Sequence, residues 1–301
     1  MKNVGQSGRK NRRLMAERRI TYGLFAIPGF FLYCCFFILP ILMGIYYSMT
    51  DWNGISPKFN FTGLENYSKI LVDRGFRKVL LFNIRYTVLL VIGTVVLGVC
   101  LALLLNSKIK GRAFFRAFYF FPAILSMITV SLIFNQIFYR VIPIIGQFLG
   151  SRTFSTNILA NKNLAVYGVL FVHIWQGVAL PTLLFLAGLQ TIPEELYEAA
   201  ALDGAASWQK FKYITVYYLL PTLSVVLVLT LKSGLMVFDY IKSLTDGGPG
   251  GVTQSIALLI YNHGFIQNKY SYSIAEAIIT GLIIAMVSAV QIKFVDGKKV
   301  Q

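Results

Sequence analysis

Little in this chain has the residue types and spacing that catalysis needs. Its two histidines, His173 and His263, lie neither in an H-E-x-x-H pair nor beside Cys and acidic residues at metal-ligand spacing, and no G-x-S-x-G elbow occurs. A G-x-x-x-x-G-K-[ST] loop is also missing, so the sequence offers no ATP site of that kind. Cys34, Cys35 and Cys100 fall inside apolar stretches, where a cysteine usually serves as a small core residue.

The residues that imply work lie from Thr191 to Ile214, which read T-I-P-E-E-L-Y-E-A-A-A-L-D-G-A-A-S-W-Q-K-F-K-Y-I. Pro193 suits the first turn of a helix, and Glu194 and Glu195 suit the positive end of its dipole. Glu194 to Leu202 consists of good helix formers, and Asp203-Gly204 can end that helix and turn the chain. Ser207 is a reasonable N-cap for a second helix running on through Trp208, Phe211 and Ile214. Leu196, Ala199, Ala200 and Leu202 with Trp208 and Phe211 would form an apolar surface larger than a free loop exposes, which suits a helix laid into a partner's groove.

The elements that must hold this segment are membrane helices. Of the 301 residues 56% are hydrophobic and only 13% charged, with a mean hydropathy of +0.65, far too apolar for a soluble domain. Crossing the hydrocarbon core takes about 20 apolar residues. Charge-poor runs predict helices near Tyr22–Met49, Val79–Leu105, Ala117–Tyr139, Leu164–Gln190, Val216–Phe238 and Ser271–Lys293. The first run is too long for a signal peptide and lacks its cleavage site, and Arg12-Arg13 reads as an anchor, not a twin-arginine export signal.

Six crossings put both termini on one side. Of the 28 Lys and Arg residues, 16 lie in the N-terminus, Asn106–Arg116, Thr191–Thr215 and the tail from Lys293, against 10 in the three opposite loops. Lys108, Lys110, Arg112 and Arg116 crowd one short loop with no acid, so the positive-inside rule places both termini in the cytoplasm. The net charge of +16 therefore encodes orientation; binding nucleic acid would need an exposed basic face on a soluble fold. The expected organisation is an all-α membrane protein: a basic segment (1–21), one transmembrane unit (22–293) with a cytoplasmic loop at 191–215, and a short tail (294–301), without internal repeats.

Glu198-Ala199-Ala200, Asp203-Gly204-Ala205, Trp208-Gln209, Phe211, Ile214 and Pro221 resemble in type and spacing the loop signature of a known family. It comprises the permease subunits of binding-protein-dependent ATP-binding-cassette importers, in the branch for sugars, oligosaccharides and glycerol phosphates that includes the maltose-type inner-membrane components. Phe238-Asp239, Leu244-Thr245-Asp246-Gly247-Gly248-Pro249 with Thr253, then Tyr261 and Phe265, are similar to further elements of that family. The likeness covers most of Leu164–Val290; the N-terminal third agrees mainly in hydropathy and Asn83. Tyr217 stands where members commonly have a proline, which leaves the start of helix five less kinked.

The resemblance implies a type I importer permease fold in a bacterial plasma membrane. It implies as partners a second homologous permease, two ATPase subunits that bind ATP and Mg, and an extracytoplasmic solute-binding protein, with no cofactor, metal or catalytic residue in this chain. Glu198, Ala199, Ala200, Asp203, Gly204, Ala205, Trp208 and Phe211 would couple to an ATPase, Gly204 through its turn and close approach and Glu198 through a polar contact.

A carbohydrate-type solute is bound by aromatic faces with nearby amides and hydroxyls. His173, Trp175 and Gln176 on helix four, Ser224, Thr230, Lys232 and Ser233 on helix five, and Tyr240 beyond it are the candidate pathway residues, although such groups equally serve interhelical packing. Arg85 and Glu276 are expected near outer helix ends, snorkelling, and Lys232 is expected to pair with Glu276. The glycine-rich turn Asp246–Gly251 should form a re-entrant or outer loop beside the pathway. A glycerol-phosphate importer is the second reading, with Lys232 as its lone basic group. A stand-alone carrier would need a relay of charges and inverted repeats, which are not visible.

Overall fold

The computed structural model describes residues 22–23, 25–107 and 111–296. The expected basic segment over 1–21, Lys108 and Lys110 of the basic loop, and 297–301 of the tail lie outside the described residues. In chain order the helices are α1 (Phe25–Ser48), α2 (Glu65–Val72), α3 (Arg74–Asn106), α4 (Arg112–Ile124), α5 (Met127–Phe148) and α6 (Ala165–Gly177). They continue with α7 (Ala179–Leu189), α8 (Glu194–Leu202), α9 (Ser207–Leu235), α10 (Asp239–Leu244), α11 (Ile256–Ile266) and α12 (Tyr270–Asp296). Among the described residues the sole β pairing is an isolated bridge between Thr50 and Phe61. Among the described residues, helices α1, α3, α5, α9 and α12 are each long and apolar enough to cross a bilayer, and α6 and α7, bent by 47° where they meet, together match them in length and apolarity.

Two spans differ from expectation. The helix expected over Ala117–Tyr139 is two: α4 ends at Ile124, Leu125 and Ser126 are extended (ψ 148° and 134°), and α5 then crosses as far as Phe148. Pro122, which lacks a backbone donor, stands just before this break. Within α5 a π-helical turn at Ile137–Val141 precedes Pro143, easing the loss of its ladder bond. The second difference is the bend between α6 and α7. Pro181 cannot donate to the carbonyl of Gly177 and its ring crowds it, so the bend falls there.

In lipid, helices associate through close packing and polar bonds and not through a hydrophobic drive. α3 is the central element, flanked by α7 and α9. Its crossing with α9 is tight: a Cβ on Gly234 would lie 2.8 Å from Thr87 Oγ1 and 3.0 Å from Thr87 Cα. Asn83, fully buried on α3, locks the outer end of this crossing. Its amide nitrogen donates to Leu235 O (2.8 Å) and its Oδ1 accepts from Ile256 N (3.0 Å), so one side chain serves the end of α9 and the start of α11. Leu105, Phe185, Leu189, Ile192, Leu219 and Val226 pack the other end, beneath α8. α1 is peripheral and meets the bundle mainly through α12.

Candidate functional site

The knob between α7 and α9 takes the expected form. α8 ends at Leu202 with Asp203 as its C-cap, and Gly204 adopts φ +74°, a left-handed conformation that favours glycine. Ala205 N donates to Ala200 O (2.9 Å) and Gly204 N to Ala201 O (3.1 Å), the paired bonds of a Schellman turn, which satisfy the last carbonyls of α8. The N-cap of α9 is Ala206, not Ser207: the Gln209 side chain supplies the local bond instead, accepting from Ala206 N at 2.7 Å. A π-helical turn at Phe211–Thr215 follows Trp208, and α9 runs unbroken into the membrane past Tyr217 and Pro221.

Tyr197 holds the knob to its base, with its hydroxyl 2.8 Å from Thr215 Oγ1. The outer side of the knob is left bare. Leu202 is 90% and Trp208 68% exposed, Glu198, Ala199, Asp203 and Gly204 are exposed, and Ala200, Ala205 and Phe211 are half-buried. The Trp208 and Phe211 rings lie 5.5 Å apart. A Cβ on Gly204 would meet nothing within 4 Å among the described residues, so this side of the turn is open.

The pathway candidates divide. His173 is buried on α6 and bridges two spans: Nδ1 lies 2.9 Å from Tyr86 Oη on α3 and Nε2 lies 2.9 Å from Ser233 Oγ on α9. Tyr240 stacks on its ring at 4.4 Å and donates from its hydroxyl to Gln176 Oε1 (2.9 Å). The Gln176 amide donates in turn to Leu125 O at 2.7 Å, capping the carbonyl exposed where α4 breaks from α5. Two interrupted spans thus meet around one polar network at membrane depth, where irregular backbone is tolerated only if shielded or lining a cavity. A cavity of about 170 Å³ does open there, lined by Thr94, His173, Gly177, Pro181, Thr230 and Ser233.

The other candidates lie apart from this cavity. Trp175 packs edge-on against Phe134 at 5.0 Å, and Ser224 bonds back to Leu220 O at 2.9 Å. Lys232 is exposed and does not pair with Glu276. Glu276 does not snorkel either: it is fully buried, with Oε2 2.9 Å from His263 Nδ1, because α11 packs against that face of α12. Arg85 is exposed on α3. Tyr86 and Thr94 escaped sequence reasoning. The signal was present, since Asn83, Tyr86, Thr87, Leu90 and Thr94 are all buried and lie on one helical face of α3.

The glycine-rich loop after α10 is irregular, as expected. Asp246 has φ +46°, and Gly247, Gly250 and Gly251 are also left-handed. Buried Thr253 closes it, with Oγ1 donating to Gly248 O and lying 2.8 Å from Thr245 Oγ1. Asn135 donates to Leu244 O at 3.0 Å, tying α5 to the end of α10. Lys242 binds Asp246 at 2.7 Å, a contact that raises its ammonium above the usual range.

Residues 94–298 match the family described as binding-protein-dependent transport system inner membrane component. The chain is 47% identical to the multiple sugar-binding transport system permease protein MsmF of Streptococcus mutans, over 89% of this chain and 93% of that protein. A chain from the crystal structure of a bacterial ABC transporter involved in the import of the acidic polysaccharide alginate shares the fold, with a TM-score of 0.82 at 20% identity over 96% of this chain and all of that one. A chain from the alginate ABC transporter in complex with an alginate pentasaccharide-bound periplasmic protein gives 0.75 at 22% identity over 94% and 96%. The whole-length likeness, the helical architecture and the bent and broken spans agree: the chain is a multi-pass membrane protein that belongs to the family of binding-protein-dependent transport system inner membrane components.

Proposed function

We propose that this chain is the permease subunit of an ATP-driven importer for a carbohydrate-type solute, delivered by an extracytoplasmic binding protein and moved by alternating access. The observation that carries this reading is the knob: a rigidly turned helix whose bare Leu202, Trp208 and Glu198 project from the bundle. A face of this kind suits docking in a groove of another subunit. Since the sequence carries no G-x-x-x-x-G-K-[ST] loop, ATP and Mg are bound by two partner ATPases, and the chain itself is not an enzyme. A second homologous permease completes the pathway, both termini and the knob face the cytoplasm, and residues 22–293 act as one transmembrane unit. The 47% identity to a multiple sugar-binding transport system permease supports the carbohydrate class.

The small cavity between α3, α6 and α9 is the membrane station of the pathway. His173, Thr230 and Ser233 line it, while Gln176 and Tyr240 hold the broken helices around it. The test is uptake of radiolabelled maltotriose and related neutral oligosaccharides by proteoliposomes containing the complex, its binding protein outside. Accumulation that requires internal ATP is expected for a solute the binding protein accepts. Accumulation driven by an ion gradient without ATP would contradict the reading in favour of a stand-alone carrier.

A further inference from the structure

A larger cavity, about 520 Å³, lies at the opposite end of the bundle from the knob, where α1 ends and α3 and α12 begin. It falls in the range of about 300–1,000 Å³ typical of small-molecule sites. Its wall mixes polar and apolar surface, carried mostly by polar and charged residues of the α1–α2 connection, α2, the end of α11 and the start of α12. Four lining residues carry formal charge, Lys69 and Lys269 against Asp51 and Asp73, and these cancel.

Three of the four charges are already engaged. Asp51 accepts from the backbone (2.6 Å) and side chain (3.0 Å) of Asn60, bonds that hold its carboxyl below the usual range. Asp73 caps α3 through Gly75 N at 2.7 Å, and Lys69 pairs with Glu65 at 2.7 Å. Asn66 donates to Ser48 O and Thr50 O, which fixes its amide and leaves its oxygen without a partner among the described residues. The side chains of Asn268 and Lys269 likewise make no bond among the described residues, and Asn268 stands at a left-handed turn (φ +54°). What remains for a ligand is an array of donors and acceptors beside Trp52 and Tyr272, with no net charge to select an ion.

We propose that this outer cavity is a first station for the solute, a binding site for a neutral saccharide distinct from the cavity between the membrane helices. The assignment rests on the carbohydrate-importer reading. A neutral saccharide fits because its hydroxyls both donate and accept, and because its apolar C–H faces can lie against an aromatic ring. A phosphorylated or acidic sugar would need an excess of positive charge, which the wall lacks. The station would hold solute on the outer side before the spans open.

The test uses the complex in nanodiscs without its binding protein, with radiolabelled maltotriose as the neutral probe and trigalacturonate as the acidic one, in equilibrium dialysis. Saturable maltotriose binding is expected, at least tenfold weaker in an Asn268→Gly, Lys269→Ala double variant; glycine at 268 keeps the left-handed turn. Trigalacturonate should bind at least tenfold more weakly than maltotriose. Equal binding of both probes, or maltotriose binding unchanged in the double variant, overturns the proposal. Absence of maltotriose binding also overturns it, provided carbohydrate still stimulates ATP hydrolysis by the same complex once binding protein is added. If no carbohydrate stimulates hydrolysis, the importer reading itself falls, and the outer station falls with it.

Discussion

Glu276 and Lys232 show how a residue's neighbours decide the meaning of its charge. Both are ionisable groups on membrane helices, yet Glu276 is fully buried against His263 while Lys232 faces outward with no ion pair among the described residues. Removing one member of a buried pair strands the other in a medium that solvates it poorly. Glu276→Ala should therefore lower stability by about 1–3 kcal/mol, the range for leaving a buried hydrogen-bonding group without its partner. Glu276→Gln, which can still hydrogen-bond His263, should lose clearly less. Lys232→Ala should stay within about 0.5 kcal/mol of the parent. Unfolding in detergent micelles, followed by intrinsic fluorescence, measures all three; a Lys232→Ala loss as large as that of Glu276→Ala would show that Lys232 has a buried partner after all. Hydropathy located both charges within spans, but it could not reveal which face of α12 packs on α11, and that face determines the pairing.

At the scale of elements, the crossing of α3 and α9 is held by contact distance more than by apolar area. A Val at Gly234 would drive into the backbone of Thr87 and pull Leu235 O away from Asn83. The expected cost is about 1–3 kcal/mol from overpacking alone. Gly281→Ala on α12, where an added Cβ meets nothing within 4 Å, should be neutral or slightly stabilising in the same unfolding measurement. Comparable losses in both would mean that close packing at this crossing is not what counts. The order of the apolar elements was legible because each apolar run is long and bounded by charge, and the Asp203-Gly204 turn was legible because few residues accept its backbone geometry. The breaks at Leu125 and after Gly177 were not foreseen, although Pro122 and Pro181 mark them. A proline in a membrane helix is often absorbed, and only the tertiary partners, Gln176 at Leu125 and the α3–α7 contact, fix where the chain bends. The same limit applied to the candidate pathway residues: spacing picked out His173, Gln176, Ser233 and Tyr240 as polar groups, but the bonds among them depend on three-dimensional neighbours that spacing does not encode.

Taken whole, the molecule has a bare knob at one end, a polar cavity at the other, and between them two interrupted spans crossed by α3. Tyr197 and the cluster under α8 join the knob to α7 and α9, and those two helices border the membrane cavity, so displacement of the knob has a short mechanical route to that cavity. The central claim is that ATP's work enters through this knob. It is tested most directly by ATP-driven oligosaccharide uptake in proteoliposomes carrying the Gly204→Val chain, with membrane insertion and unfolding temperature followed in parallel. A branched side chain is strained at φ +74° and would fill the space left for a partner. The account predicts that uptake and its coupling to ATP hydrolysis are lost while insertion is retained and the unfolding temperature falls only by the few degrees that local strain at Gly204 costs; uptake at the parental rate by the Gly204→Val transporter would contradict it.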